Sequence, residues 1–457
     1  MTRVLCIELR RSAAPWVGLL LLAIGVAHLV LRNDASGRWT TLAALHRVGL
    51  LLLIPLALAG GAWYGRRERR QRMDELLATT PRPGAQRRLV AAAALAVTVL
   101  AAHLLTFAVG AVRVAPNATY LPPGLPQTVA VGAVALVAAV WLGLSLGRVL
   151  PQPVVAPAAA VVAAGAIIAM KSSFTSDLDD QIPGFALLDP LLDGGDEFSV
   201  ILNRVHAGQA LWLVGLAVTA AGLLSAGRPR QVAFALVPAL VGGALAVPLL
   251  PAGGPTAAYA FDHGAAALVC ADGEPRVCVT RVHAATLPEV VGPARASLAM
   301  LAKLPDAPTS AVERVERVER VGATGDELSR APQPADTLWF PLYFDPSGRL
   351  ELTGDEMRDE MLSSSIPWCP PTHPDDDDGW QPESAARSAA SAWLRGRPPA
   401  RSTMPNMAEF DEMEQRFYRD LTALPQDEQL RRMGALRRAA QDCRNALYPI
   451  LAGETTP

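Results

Sequence analysis

Seven apolar blocks crowd the first 252 positions of this 457-residue chain, at approximately 13–31, 44–64, 89–112, 128–147, 153–170, 207–226 and 232–251. A soluble domain spreads its apolar residues at the helix or strand period. Here they stand in continuous runs of about 18 to 24, long enough at ~1.5 Å per residue to cross a ~30 Å hydrocarbon core. The fifth block is the shortest and contains Pro153 and Pro157, so it reads either as a span or as a broken, re-entrant segment. The expectation is a polytopic α-helical membrane bundle of six to seven transmembrane helices over 15–252. An acidic, proline-rich remainder over 257–457 is long enough to own a core.

Charge fixes the expected orientation. With the N-terminus inside, the short cytoplasmic segments hold Arg3, Arg10, Arg11, eight arginines within 65–88, Arg148, Arg228 and Arg230; the outer ones hold Arg32, Arg38, Arg113, Lys171 and Arg204. That excess satisfies the positive-inside rule. Arg47, near a helix end, is expected to snorkel to the interface. Seven crossings then place everything after residue 252 outside the plasma membrane. The formal net charge of −2 masks a cationic membrane half and an acidic tail, so a nucleic-acid partner is not expected.

Cysteine usage points the same way. Cys6 stands alone on the cytoplasmic side, whereas Cys270, Cys278, Cys369 and Cys443 all fall in the outer part. An even set on the oxidising side suits disulfides, and the expected pairs are Cys270–Cys278 and Cys369–Cys443. No C-x2-C spacing suggests zinc.

Residues 1–14 read as a cytoplasmic interfacial helix with Val4, Leu5, Ile7 and Leu9 toward lipid and Arg3, Arg10 and Arg11 at headgroups. The stretch 65–88, GRRERRQRMDELLATTPRPGAQRR, joins the second and third blocks. Met73, Leu76, Leu77 and Thr80 fall at helical spacing, and Pro81 and Pro83 stop that helix. Position and pattern together resemble the coupling segment of a type-2 ATP-binding-cassette exporter permease, whose motif runs roughly Glu-x-Gly-Thr-x-x-x-Leu-Leu-x-x-Pro. Here Gln71-Arg72 replaces Gly-Thr, Glu68 sits one residue early, and one extra residue separates Leu77 from Pro81. The resemblance spans about residues 1–230 and extends to a long outer loop at 171–206. It implies that Glu68, Asp74, Glu75, Leu76, Leu77, Thr79 and Pro81 dock on a separate nucleotide-binding ATPase subunit. It also implies a homodimer or paired permease in membrane lipid, with ATP and magnesium on the partner.

This chain has no G-x-x-x-x-G-K-[ST] loop of its own, and its only lysines are Lys171 and Lys303. No metalloprotease helix or nucleophile elbow occurs either, so no catalytic residue and no cofactor is assigned. His28 and His103 lie inside spans and are candidates to line a polar path. Gly60-Gly61 and Gly242-Gly243 are candidate helix contacts, and Pro55 and Pro238 candidate kinks. In the outer loop, acidic residues from Asp177 to Glu197 alternate with leucines and must face water or a cavity, in a short surface helix or a re-entrant cap.

The 257–457 part reads as an extracytoplasmic α+β domain. Strands are expected at 265–270 and 276–281 around the Asp272-Gly273 turn, then at 337–344 and 350–352. Helices are expected at 288–304, 382–395, 406–423 and 426–447. The repeat Val312-Glu-Arg-Val315-Glu-Arg-Val318-Glu-Arg-Val321 fits neither period, and His373 with Asp375–Asp378 reads as a solvated loop. Alongside the exporter reading stand two others: a membrane-anchored sensor or scaffold with a partner-binding outer domain, and an integral-membrane enzyme for lipid-linked substrates built around Asp177–Asp180.

Overall fold

The structure, a computed structural model, describes residues 2–32, 37–67, 84–173, 184–192, 197–226, 228–252, 255–315, 334, 336–345, 348–368, 377–402, 407–444 and 447–454. It is mostly helical. It divides into two compact units, one comprising residues 1–262 with 346–348 and the other residues 263–345 with 349–457.

The first unit is a helical bundle. After α1 (Thr2–Arg11) come α2 (Ala14–Arg32), α3 (Trp39–Gly65), α4 (Gly84–Val114), α5 (Leu125–Val149), α6 (Val155–Ser173), α7 (Asn203–Ser225) and α8 (Pro229–Ala246). Six helices are long and apolar enough to cross a membrane: α2, α3, α4, α5, α7 and the segment Pro229–Leu249 that contains α8. The α6 helix is shorter in its apolar stretch, Val155–Ala169. It lays Ala156 and Ala159 inward and leaves Val161, Val162 and Ile168 exposed. Its prolines sit at or before the first turn, where a missing N–H costs nothing, so the block forms an unbroken helix.

Each loop joins helices at one of two ends. At one end, α1 packs beside the close of α3: Glu8 accepts a hydrogen bond from Tyr64 and lies 3.5 Å from Arg67. Arg148 of α5 donates to Leu224 O of α7 there, at 2.6 Å. At the other end, α3, α5 and α7 begin, and a two-stranded ribbon of β1 (Ser199–Ile201) and β2 (Tyr259–Phe261) covers them. Since α6 starts where α5 stops, and Leu187 is held beside Gln209 at the ribbon end, the chain passes between the ends along α6 as well. The Asp262 carboxylate closes this unit at the ribbon end by accepting from Tyr120, 2.8 Å away.

Two expectations for α1 are corrected. Leu5 and Leu9 pack against the bundle core instead of facing lipid, while Ile7 remains exposed. The helix is anchored by Glu8 as much as by its apolar face.

Glycines set the closest approach in the bundle. In α3, Gly61 and Gly65 stand one turn apart; in α5, Gly143 and Gly147 do the same. A Cβ on Gly61 would strike Val140 O, on Gly65 Leu144 O, on Gly143 Leu58 O, and on Gly147 Ala62 O. Each helix therefore rests backbone against backbone on the other, a small-residue seam of the kind that holds membrane helices together without a hydrophobic driving force. The α7–α8 pair repeats the device once, with Gly215 against Pro238 O (2.6 Å to a built Cβ) and Gly242 against Leu211 O (2.7 Å). Of the paired glycines flagged in the sequence, Gly61 and Gly242 make these backbone contacts, while Gly60 meets Val17 and Gly243 meets Trp212. Both Pro55 and Pro238 sit inside continuous helices.

In the second unit, β3 (Leu268–Cys270) pairs antiparallel with β4 (Arg276–Thr280), and β4, β5 (Ser310–Glu313) and β6 (Thr337–Phe340) run parallel. The helix α9 (Leu287–Leu301) connects β4 to β5, and α10 (Gly354–Ser364), α11 (Asp377–Arg395), α12 (Ala408–Thr422), α13 (Gln426–Gln441) and α14 (Leu447–Ala452) follow. Its core joins Val277, Val279, Leu338 and Phe340 from the sheet to Leu298 and Leu301 of α9 and an alanine face of α11. The Cys270–Cys278 disulfide forms across the register pair of β3 and β4. Cys443 is disulfide-bonded too; Cys369 lies outside the described residues.

The sequence reading departs from the structure at three places here. The repeat begins as strand, since Val312 and Glu313 close β5 while 316–333 lie outside the described residues. Leu350 forms only an isolated bridge with Phe344 in place of a strand over 350–352. An unforeseen helix, α10, follows: its sequence is polar overall, and burial falls on Met357, Met361 and Leu362 together with Asp359.

Candidate functional site

The coupling residues Glu68, Asp74, Glu75, Leu76, Leu77, Thr79 and Pro81 lie outside the described residues, as do Asp177–Asp180 and His373. Their flanks are described. Arg66 lays its guanidinium 3.6 Å over the ring of Trp63, and Arg67 approaches Glu8. The arginine-rich segment thus leaves α3 beside α1 and returns at Gly84, the start of α4. In this way Glu8 joins the N-terminal helix and the root of that segment into one end of the bundle.

The opposite end holds a polar assembly. Arg47 comes from the third turn of α3 and is only 2% exposed. It donates to Leu192 O and to Gln209 Oε1, each at 3.0 Å. Gln209 of α7 in turn donates to Leu187 O and Asp189 O, each at 2.9 Å. The Asp189 carboxylate turns inward and accepts the Leu191 amide at 2.9 Å. The expected snorkelling of Arg47 is therefore overturned: its side chain points into the bundle and fastens the loop between α6 and β1 to α3 and α7. That loop supplies a 3-10 turn, Gly184–Leu188, whose Leu187 and nearby Leu191 are buried. Its acidic Asp189 lies buried in the assembly and not in water.

Beside this clamp opens a half-open cleft, lined among others by Thr40, Arg47, Thr128, Ser199, Ile201 and His206. Arg38 is paired with Glu197 just before β1, which holds the ribbon over the cleft.

Deeper in the bundle, His46 and His103 stack with ring centroids 4.2 Å apart, and their Nε2 atoms approach to 3.1 Å. His103 Nε2 also lies 3.1 Å from Val129 O. A carbonyl only accepts, so His103 Nε2 carries the hydrogen and His46 Nε2 presents its lone pair. Gly132 makes room for the His103 ring, because a Cβ there would sit 2.9 Å from its Cε1. His28 is close by, its Cδ2 3.3 Å from where a Cβ on Gly49 would stand. The sequence singled out His28 and His103. It read Arg47 as an interfacial cation and missed His46, His206 and Gln209, whose one signal was a polar side chain within the first three turns of a helix.

Among the described residues no group of three histidine, cysteine or acidic side chains is placed to hold a metal ion. No known protein family, curated protein or solved structure matches the chain.

Replacing Arg47 with methionine is expected to release the 184–192 loop. Two charge-assisted bonds are lost, at roughly 1.5–3 kcal/mol each in a buried soluble site and less in a bundle where acceptors find new partners. Lower melting temperature and new protease cuts near Asp189 in the detergent-solubilised protein would register it. A variant as resistant as the parent would show that the loop is held by its leucines alone.

Proposed function

We propose that this chain is the membrane-spanning subunit of an exporter whose ATP hydrolysis resides in a separate nucleotide-binding subunit. The observation that carries the reading is the Glu8 contact with Tyr64 and Arg67. It brings the amphipathic N-terminal helix to the root of the arginine-rich segment, at Arg67, at one end of the bundle. The sequence of that segment, arginines around Met73, Leu76, Leu77 and Thr80 at helical spacing, has the pattern of a cationic helix with an apolar stripe, which suits a soluble partner's groove. The cleft at the far end gives the bundle a polar mouth on the other side.

In this reading α6 is a seventh crossing, α1 is cytoplasmic, and the chain beyond Asp262 is an extracytoplasmic α+β domain. Orientation has a direct readout, because Cys6 on α1 is exposed and is the one free thiol among the described residues. A membrane-impermeant maleimide is expected to leave intact cells unlabelled and to label Cys6 once the membrane is opened. Labelling of intact cells would reverse the topology and remove the coupling role.

The partner is tested by purifying tagged full-length protein from its native membranes in mild detergent. A nucleotide-binding protein carrying a phosphate-cradling loop is expected with the parent and absent with the Leu76→Arg, Leu77→Arg double variant. Absence from both samples would leave the sensor or scaffold as the better reading.

A further inference from the structure

We infer that the Cys270–Cys278 disulfide is an exchange site, opened by an external dithiol that attacks at Cys270; the inference is independent of the exporter reading.

The bond joins a hairpin that is already held without it. Cys270 and Cys278 face each other as register partners on β3 and β4. On either side the chain is joined by backbone bonds, from Ala271 N–H to Val277 O at 2.9 Å and from Arg281 N–H to Ala267 O at 2.7 Å. The turn is fastened to α9 as well, because Arg295 donates to Asp272 O at 2.6 Å and to Pro275 O at 3.4 Å. A crosslink between residues eight positions apart removes little chain entropy, since the loop it closes is short. Reduction therefore opens the sulfur bridge and leaves the strand pair in place.

The two sulfurs are unequal. Cys278 lies on an inner strand and is fully buried, whereas Cys270 is partly exposed on β3, at the end of the strand order β3-β4-β5-β6. An incoming sulfur must approach in line with the bond that breaks. The line from Cys278 Sγ through Cys270 Sγ leads away from β4 toward the sheet edge, so Cys270 is the sulfur an outside thiolate reaches.

The independent observation is Arg276. Its exposed guanidinium donates to Cys270 Sγ from Nη2 at 3.3 Å and from Nε at 3.4 Å. A cation there draws in an anionic thiolate and stabilises Cys270 when that sulfur becomes the leaving group, the setting that makes a cysteine reactive. Asp272 and Glu274 in the adjoining turn are exposed, so water screens their charge, whereas the guanidinium is in contact with the sulfur.

An incoming thiolate bonds to Cys270 Sγ, and Cys278 leaves with the electron pair of the broken bond and takes a proton. The donor's second thiol, deprotonated, then attacks the donor sulfur of the mixed disulfide, and Cys270 leaves as a thiolate beside Arg276. The donor ends as a disulfide, two electrons poorer, and both cysteines end reduced. A dithiol is required because Cys278 stays opposite Cys270 and recloses on the adduct of a single thiol at high effective concentration.

The test gives full-length protein in a neutral detergent dithiothreitol or reduced glutathione at equal thiol concentration, followed by acid quenching, alkylation and peptide mass spectrometry. Cys270 and Cys278 are expected to become alkylated at least tenfold sooner than the disulfide-bonded Cys443, with little change in melting temperature. Dithiothreitol is expected to act at least tenfold faster than glutathione, whose early adduct falls on Cys270. Arg276→Gln is expected to slow opening at least threefold without altering the rate at Cys443, and Arg276→Lys to restore most of it. Simultaneous reduction at Cys443, opening only on unfolding, an adduct on Cys278, glutathione as fast as dithiothreitol, or a rate indifferent to Arg276 would overturn the inference. Should Arg276→Gln fail to fold, the order of reduction and the adduct's position in the parent still decide it.

Discussion

Alanine at Gly143 or Gly147 lowers the melting temperature of the solubilised protein, and the double variant fails to form the bundle. This is the largest effect expected from any substitution in the first unit. The added methyl meets the carbonyl oxygens of Leu58 and Ala62, which are backbone atoms and cannot rotate aside. The α3–α5 seam must open to accommodate it. Overpacking of this kind costs about 1–3 kcal/mol per site, and more where backbone is the obstacle. Helix propensity alone acts in the opposite direction, since alanine is better than glycine in a helix interior by about 1 kcal/mol. Gly165 supplies the control: nothing lies within 4 Å of its Cβ position. Gly165→Ala is expected to be neutral or stabilising. Equal behaviour of Gly143→Ala and Gly165→Ala in thermal melts would mean that the seam is looser than the backbone contacts imply.

The second large effect is expected in the second unit. Glu313 ends β5 and reaches across to the end of β4, where Oε2 accepts the Thr280 amide at 2.6 Å and Oε1 lies 2.5 Å from His283 Nδ1. All three residues are buried, and Phe344 covers the imidazole at 4.4 Å between ring centroids. Glu313→Leu leaves the Thr280 N–H without its acceptor in the protein interior and takes from His283 Nδ1 its nearer partner, Thr280 Oγ1 remaining at 3.2 Å. Breaking one partner of such a buried pair costs about 3–5 kcal/mol. The expected result is rapid proteolysis of the full-length protein within 263–345 and a lower melting temperature. Glu313→Gln retains an acceptor for Thr280 and is expected to recover part of that stability. Should leucine be tolerated as well as glutamine, the triad is a bystander to the fold. It is no catalytic triad, because Thr280 Oγ1 and Glu313 both approach the same nitrogen of His283.

Much of this architecture was legible in the sequence because its causes are local. The apolar blocks fix span positions within a few residues, since a lipid-crossing helix needs only length and hydropathy. The Asp272-Gly273 turn, with Gly273 at φ +85°, marks the hairpin that brings Cys270 to Cys278. What escaped depends on partners distant along the chain. Arg47 near the start of α3 looks like an interfacial cation until Gln209 and Leu192, more than 140 positions later, are seen to receive it. His46 gains meaning only from His103, 57 residues on. The glycines of α5 carried no distinctive local signal either, because their role lies in the register against Gly61 and Gly65. In α10 burial of Met357, Met361 and Leu362 overrides a polar composition. The Val-Glu-Arg repeat misled by its period: its first unit belongs to β5 because Glu313 is claimed by Thr280 and His283, which no periodicity records.

One mechanical consequence follows from the seam between α3 and α5. Two helices in backbone contact along two successive turns behave as a single stiff beam of about 40 Å, the length of 27 residues of α3. The root of the arginine segment is at one tip, and Arg47 is near the other. A push at one tip must therefore swing the clamp at the other. If the proposed exporter reading holds, paired spin labels on α3 and α5 keep their separation throughout a nucleotide cycle, while pairs spanning α3 and α6 change theirs.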